Sequence, residues 1–137
     1  MTMATVYALK CWVGVCRETG RDGLAEELSD IADEMAAAVQ AHFWDGDWFA
    51  RGITDDNATF GVSGDSEGRI FLNPQSWAML AGIASAEQKV RLIRSIEDRL
   101  EGPYGVEMLA PASDRPDEGP CAHPARPSPA NMAISTV

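Results

Sequence analysis

Through most of the first hundred residues, apolar side chains recur at spacings of three and four, the period of a helix with one buried face. Val6, Leu9, Val13 and Cys16 form the first such stripe. Gly20 is placed to end that helix, since glycine accepts left-handed backbone. A second stripe follows at once: Leu24, Leu28, Ile31, Met35, Val39 and Phe43. Asp22 is its expected cap, because a carboxylate there accepts from unpaired backbone N–H groups. The short break predicts an antiparallel helical hairpin. Glu26, Glu27, Asp30, Asp33 and Glu34 crowd the remaining surface of the second helix and read as a solvated face.

The helical period stops at Trp44 and does not return until residue 73. Trp44, Trp48 and Phe49 flank an Asp45-Gly46-Asp47 turn, and TDDNATFGVSGDSEG (54–68) is dense in turn formers. Two short apolar pieces, Trp48–Ile53 and Arg69–Leu72, are expected to pair as a small β-hairpin around it. A loop this long inside a compact domain is often functional. The run EGRIFLNPQSWAML (67–80) then changes from strand-like to helical at Asn73-Pro74, with Asn73 the expected cap and Pro74 in the first turn. This third helix is expected to reach Ile83. Ser85-Ala-Glu-Gln88 opens a fourth with a capping-box pattern. Val90, Ile93, Ile96 and Leu100 form its stripe, and Gly102-Pro103 its end. The predicted fold class is all-α: two helical hairpins over residues 1–112, joined by a long decorated loop. Six of the eight prolines lie between Pro111 and Pro129, so 113–137 read as a disordered or loosely attached tail.

Charge and composition narrow the function classes. The net charge is -10, from 21 acidic and 11 basic residues, which argues against a nucleic-acid surface. No apolar run approaches the ~20 residues needed to span a bilayer, and MTMATVYALK lacks the pattern of a signal peptide. Three cysteines, Cys11, Cys16 and Cys121, form no disulfide framework and fit a reducing, cytoplasmic setting. Cys11 and Cys16 point apart on a helix, and Cys121 with His123 completes no ligand cluster, so no metal or cofactor is expected.

The order of a helical hairpin, WDGDWFARGITDD, a glycine-serine loop, GRIFLNPQSWAMLAGIA, an amphipathic helix and GPYGVEMLAPA resembles a stretch of the inverting sugar phosphorylases of glycoside hydrolase family 94. That family includes cellobiose and chitobiose phosphorylases and the phosphorylase region of cyclic β-1,2-glucan synthases. The motifs run from about Thr5 to Ala112. The resemblance implies an (α/α)6 toroid in which six helical hairpins surround a sugar-binding funnel, here represented by about two. It implies attack of inorganic phosphate, the co-substrate, on a β-linked glucoside, with an aspartic acid protonating the departing oxygen. The family's Asp-Trp-Asn-Asp type motif, which carries that acid, is not in this sequence. Its glycine-, glutamate- and histidine-containing segment, which binds acceptor sugar and phosphate, finds no convincing match after Pro111. No catalytic residue is therefore assigned, and the chain alone is expected to be inactive.

The candidate sugar-binding residues are Trp48, Arg51, Asp55, Gln75 and Trp77. Aromatic faces suit the apolar C–H faces of sugars, but Trp44, Trp48 and Trp77 equally suit core packing at a loop–helix junction. Asp55 and Asp56 can accept from hydroxyls with Arg51 orienting them, or form an exposed turn with internal hydrogen bonds; an Arg51–Asp pair that shapes the loop would satisfy both readings. Gln75 sits where a helix start exposes free N–H groups, and either binds a hydroxyl or ties the loop backbone. In the toroid implied by the resemblance, Gln75 and Trp77 face the funnel. His42, at a helix end, reads as structural. Expected partners are a sugar or oligosaccharide, and either the remaining barrel segments or a second copy, because two hairpins alone would leave apolar stripes uncovered. A small self-associating or sugar-binding module without catalysis is the alternative.

Overall fold

The computed structural model describes residues 2–112; the proline-rich tail and its Cys121 and His123 lie outside them. Four helices form in the predicted order: α1 (Thr2–Glu18), α2 (Asp22–Phe43), α3 (Leu72–Leu80) and α4 (Ala86–Arg99). The first two make the expected antiparallel hairpin. Gly20 turns the chain with φ 71°, and the Arg21 N–H returns to the Cys16 carbonyl at 2.8 Å. The break is tight enough that Asp22 makes no cap. It is the first residue of α2, Arg21 holds the cap position, and no side chain bonds there. Asp22 still suits the positive end of the helix dipole.

The buried line of α2 also differs from the predicted stripe. Ala25, Ala32 and Val39 are buried, while Leu24 and Ile31 are 37% and 40% exposed. Small residues at the α1–α2 contact let the two helices approach closely, which rotates the larger ones outward. On α4, Leu92 and Ser95 are buried while Val90 and Ile93 are outside; Leu100, the cap of α4, is buried as the stripe predicts. α4 opens on the predicted capping box. Ser85 Oγ accepts from the Gln88 N–H at 3.2 Å, and Gln88 Oε1 accepts from the Ser85 N–H at 2.9 Å. It ends at Arg99, before Gly102-Pro103, with Leu100 as its cap.

α3 begins at Leu72 with Phe71 as its cap, so Asn73 lies within the first turn rather than before it. Pro74 stays in the first turn, where its missing N–H costs no helix bond. The helix ends at Leu80. A left-handed Gly82 (φ 66°) and bonds from Ile83 and Ala84 N–H back to Ala78 O complete the turn into α4.

The described residues also contain six two-residue strands: β1 (Gly52–Ile53), β2 (Thr59–Phe60), β3 (Ile70–Phe71), β4 (Glu101–Gly102), β5 (Gly105–Val106) and β6 (Leu109–Ala110). All pair antiparallel, as β1–β2, β3–β6 and β4–β5. The predicted pairing of 48–53 with 69–72 does not form. β1 instead closes locally on β2, and β3 takes a partner about forty residues away. The fold is thus mostly helical with short ladders, and Gly102-Pro103 lies in the β4–β5 hairpin.

One core joins both hairpins: Val6 from α1, Ala32 and Val39 from α2, Trp48, Phe49 and Ile70 from the loop, Ala78 from α3, and Leu92 and Leu100 from α4. Side-chain hydrogen bonds cross between the hairpins. Lys10 Nζ donates to the Ala81 carbonyl at 2.8 Å. Gln40 Nε2 donates to the Ile83 carbonyl at 2.7 Å. Gln40 and Gln88 exchange amide bonds at 2.8 and 2.9 Å.

Candidate functional site

Residues 44–72 are an ordered wall rather than an open loop, and two buried side chains hold them. Gln75, on the first turns of α3, is fully buried. Its Oε1 accepts from the Phe49 N–H at 2.8 Å. Its Nε2 donates to the carbonyls of Phe49 at 2.8 Å and Phe71 at 2.9 Å. Both of its donors are thereby used inside the protein. Of the two roles expected from sequence, the geometry fits tying the loop backbone; direct contact with a ligand in this arrangement is closed off by burial.

Trp48 is the second anchor. It is 2% exposed, and its indole N–H is shared between the carbonyls of Gly61 (3.1 Å) and Arg69 (3.0 Å). The Arg99 guanidinium covers the ring at 4.9 Å from the centroid. Trp48 therefore pins two distant points of the loop and offers no face to solvent. Trp44 packs edge-on against Phe49 at 5.0 Å. Asp65 gathers the glycine-serine turn: its Oδ2 accepts from the N–H groups of Gly61 (2.7 Å) and Val62 (3.0 Å). Asp45 accepts from the Ser63 N–H at 2.6 Å. Neither acid was singled out from sequence. An Asp among glycines and serines is the signal for such a knot.

Gly61 has the least room of the glycines in this wall. Its φ is +78°, and a Cβ would lie 2.6 Å from Arg51 Cβ and 2.7 Å from Arg51 N. The strand pair needs that approach, because the Arg51 N–H donates to the Phe60 carbonyl at 2.8 Å.

With this wall fixed, a cleft of ≈ 300 Å³ opens between the helix ends. The start of α1 (Thr2, Met3, Ala4) and the end of α2 (Val39, Phe43) form one side. Arg51, Gly52 and Ile53 form the second, and Asn73, Pro74 and Trp77 of α3 the third. Trp77 is half-buried and tilted against Tyr7, with ring centroids 5.9 Å apart. Arg51 is exposed, its guanidinium 5.8 Å from the Phe71 ring centroid. It makes no pair with a carboxylate; among the described residues the one ion pair is the exposed Arg91–Asp47 contact at 3.7 Å. The Arg51–Asp pair that would have satisfied both readings of the loop does not form, and the guanidinium lies over an aromatic ring instead.

The structure therefore brings Arg51 and Trp77 together at one cleft and sets Trp48 and Gln75 behind its wall. Asp55 stands apart, exposed in the turn between β1 and β2, and does not line the cleft. An aromatic face, an apolar floor and a few polar groups can hold a sugar-sized molecule. A second, open groove of ≈ 410 Å³ lies across Gln40, Trp44, Ser85, Glu87, Gln88 and Arg91. Its two amides are largely spent on each other.

Comparison with known proteins bears on this arrangement. The family model described as glycosyl hydrolase 94 superfamily, catalytic domain, matches residues 1–122. Cellobionic acid phosphorylase of Neurospora crassa is 45% identical over 136 residues, 98% of this chain and 17% of that protein. The 3-O-beta-D-glucopyranosyl-beta-D-glucuronide phosphorylase of Paenibacillus borealis is 41% identical over 110 residues, 80% of this chain and 14% of that protein. The N,N'-diacetylchitobiose phosphorylase of Vibrio proteolyticus is 28% identical over 114 residues, 82% of this chain and 14% of that protein. The similarity extends past Ala112, where the motifs legible in the sequence had ended. The chain spans less than a fifth of the length of these relatives.

Proposed function

The chain belongs to the glycosyl hydrolase 94 superfamily, whose catalytic-domain model covers most of it, and from that premise we propose that it forms part of the sugar-binding wall of an inverting glycoside phosphorylase. In this reading the two hairpins are part of an (α/α)6 barrel, and the cleft between helix ends opens on its funnel. The substrate is a β-linked disaccharide or related glucoside, cleaved by inorganic phosphate. The observation that carries the reading is the meeting of Trp77 and Arg51 at one cleft. A tryptophan face receives the apolar side of a pyranose, and a guanidinium donates to its oxygens.

Trp48 and Gln75 serve as positioning residues, since they fix the loop that presents Arg51. Asp55, in the β1–β2 turn, would reach a sugar extending along the wall. The proton donor and the phosphate cradle are assigned to other parts of the domain, so this segment by itself binds and orients without cleaving. Two of the relatives are named for acidic disaccharides, cellobionic acid and a glucosyl glucuronide, which favours an acidic sugar here as well.

The outer face of α1 supports the same picture. Tyr7, Trp12 and Val15 are 39%, 57% and 45% exposed, and Cys11 lies among them, also exposed. A helix apolar on all sides is usually covered on all sides, so neighbouring helices of the barrel are proposed to pack there. Self-association through this face is the second reading.

The test is a graft. Residues 5–112 replace the matching segment of the Neurospora crassa relative, and phosphate-dependent release of sugar 1-phosphate is measured. Retained turnover is expected, with KM raised roughly tenfold by Trp77→Ala, the scale of one lost aromatic contact. A folded, active graft indifferent to both Trp77→Ala and Arg51→Ala would overturn the proposal.

A further inference from the structure

The chain carries a net charge of -10, yet among the described residues no acidic side chain lines the cleft between the helix ends. Among the described residues, the cleft's one charged lining side chain is Arg51. Other arginines around the wall are engaged. Arg91 meets Asp47 and donates to the Gly46 carbonyl, Arg99 covers Trp48, and Arg69 donates to the Asp65 carbonyl. Arg51 differs from them. Its guanidinium has no carboxylate within 4.0 Å among the described residues, and its one described side-chain contact is the Phe71 ring. Phe71 is itself fixed, buried and crossed edge-on by Phe60 at 6.4 Å. The backbone of Arg51 is clamped by the Phe60 carbonyl and by the close passage of Gly61. A guanidinium set over an aromatic ring, with no carboxylate beside it, keeps N–H donors for a ligand, and its fork matches the two oxygens of a carboxylate.

We propose that Arg51 recognises the carboxylate of an acidic sugar unit, so that the cleft prefers a β-glucoside of a sugar acid over its neutral counterpart. This rests on the sugar-binding reading above. Trp77 supplies contact common to both ligands, and Arg51 supplies the difference between them. A neutral ligand offers the guanidinium hydroxyl acceptors in place of a carboxylate, so its binding depends on Arg51 less.

The experiment titrates the 137-residue chain with β-1,4-glucosyl gluconate, with cellobiose and with inorganic phosphate, followed by indole resonances and calorimetry. The acid disaccharide is expected to bind roughly 10- to 100-fold tighter than cellobiose, the range of one charge-assisted bidentate contact. Arg51→Met is expected to close that gap to within about twofold, by weakening the acid disaccharide much more than cellobiose. Trp77→Ala is expected to weaken both sugars together. Equal affinity for both sugars, with Trp77→Ala weakening each, overturns the carboxylate assignment and leaves the sugar-binding reading standing. Binding of neither sugar overturns both. Phosphate that displaces the acid sugar in an Arg51-dependent way and binds at least as tightly assigns the anion to phosphate and also overturns the carboxylate assignment.

Discussion

Replacing Gln75 by leucine removes one side chain and orphans the backbone it serves. Leucine has nearly the volume of glutamine, so the change leaves little cavity. What it leaves is the Phe49 N–H and carbonyl, at a residue fully buried in the structure. Each buried backbone group without a partner costs about 1–3 kcal/mol, and Phe71 O loses a further bond. The apolar replacement recovers a part of this. The expected loss is about 3 kcal/mol, a large share of the ~5–15 kcal/mol that holds a typical domain. With a urea slope of about 1.5 kcal/mol/M, the midpoint should fall by about 2 M. Tryptophan fluorescence, to which the buried Trp48 contributes, should report the same transition as circular dichroism. Gln75→Glu sharpens the test, because its carboxylate can accept from Phe49 N–H but confronts two carbonyl oxygens. It should cost at least as much at neutral pH, and less in acid, where a protonated carboxyl can donate to one of them. A Gln75→Leu midpoint within about 0.3 M of the parent, on the same slope, would refute the view that this side chain holds the wall.

Other outcomes follow from the same structure. Gly61→Ala places a methyl against Arg51 at a positive φ, and should cost about 1–3 kcal/mol by urea denaturation while weakening any Arg51-dependent binding. Leu92→Ala should cost about 2–5 kcal/mol, whereas Val90→Ala, at a position 54% exposed, should stay within about 0.5 kcal/mol; equal losses would restore the stripe expected from periodicity. Ser85→Ala removes one arm of the capping box and should cost about 1 kcal/mol, readable as faster amide exchange in the first turn of α4.

Helix existence and order were legible because each helix carries a period and punctuation that act locally: Gly20, the Ser85–Gln88 box, and Pro74 in a first turn. Which face is buried was less legible. Periodicity favours large side chains, but the α1–α2 contact uses Ala25 and Ala32, and Leu24 and Ile31 point outward. Size at a helix contact depends on how near the other helix comes, which one helix's sequence does not state. Strand partners failed for a related reason. Ile70–Phe71 pairs with Leu109–Ala110, and nothing within either dipeptide names the other. At the candidate site, residue type pointed to Arg51 and Trp77, and the fold brings them to one cleft. The same types at Trp48 and Gln75 are buried instead, because their polar atoms meet main-chain groups 13 to 26 residues away.

The amide pair between Gln40 and Gln88 has a consequence for how this chain tolerates its own charge. That joint, with Gln40 on the Ile83 carbonyl and Lys10 on the Ala81 carbonyl, links the two hairpins with no ion pair between them among the described residues. Coulomb attraction between surface groups is what dissolved salt weakens, and the docking of the hairpins does not depend on it. Carboxylates on the outer face of α2 can therefore be gained or lost, and ionic strength can rise or fall, without loosening the seam that sets the width of the cleft.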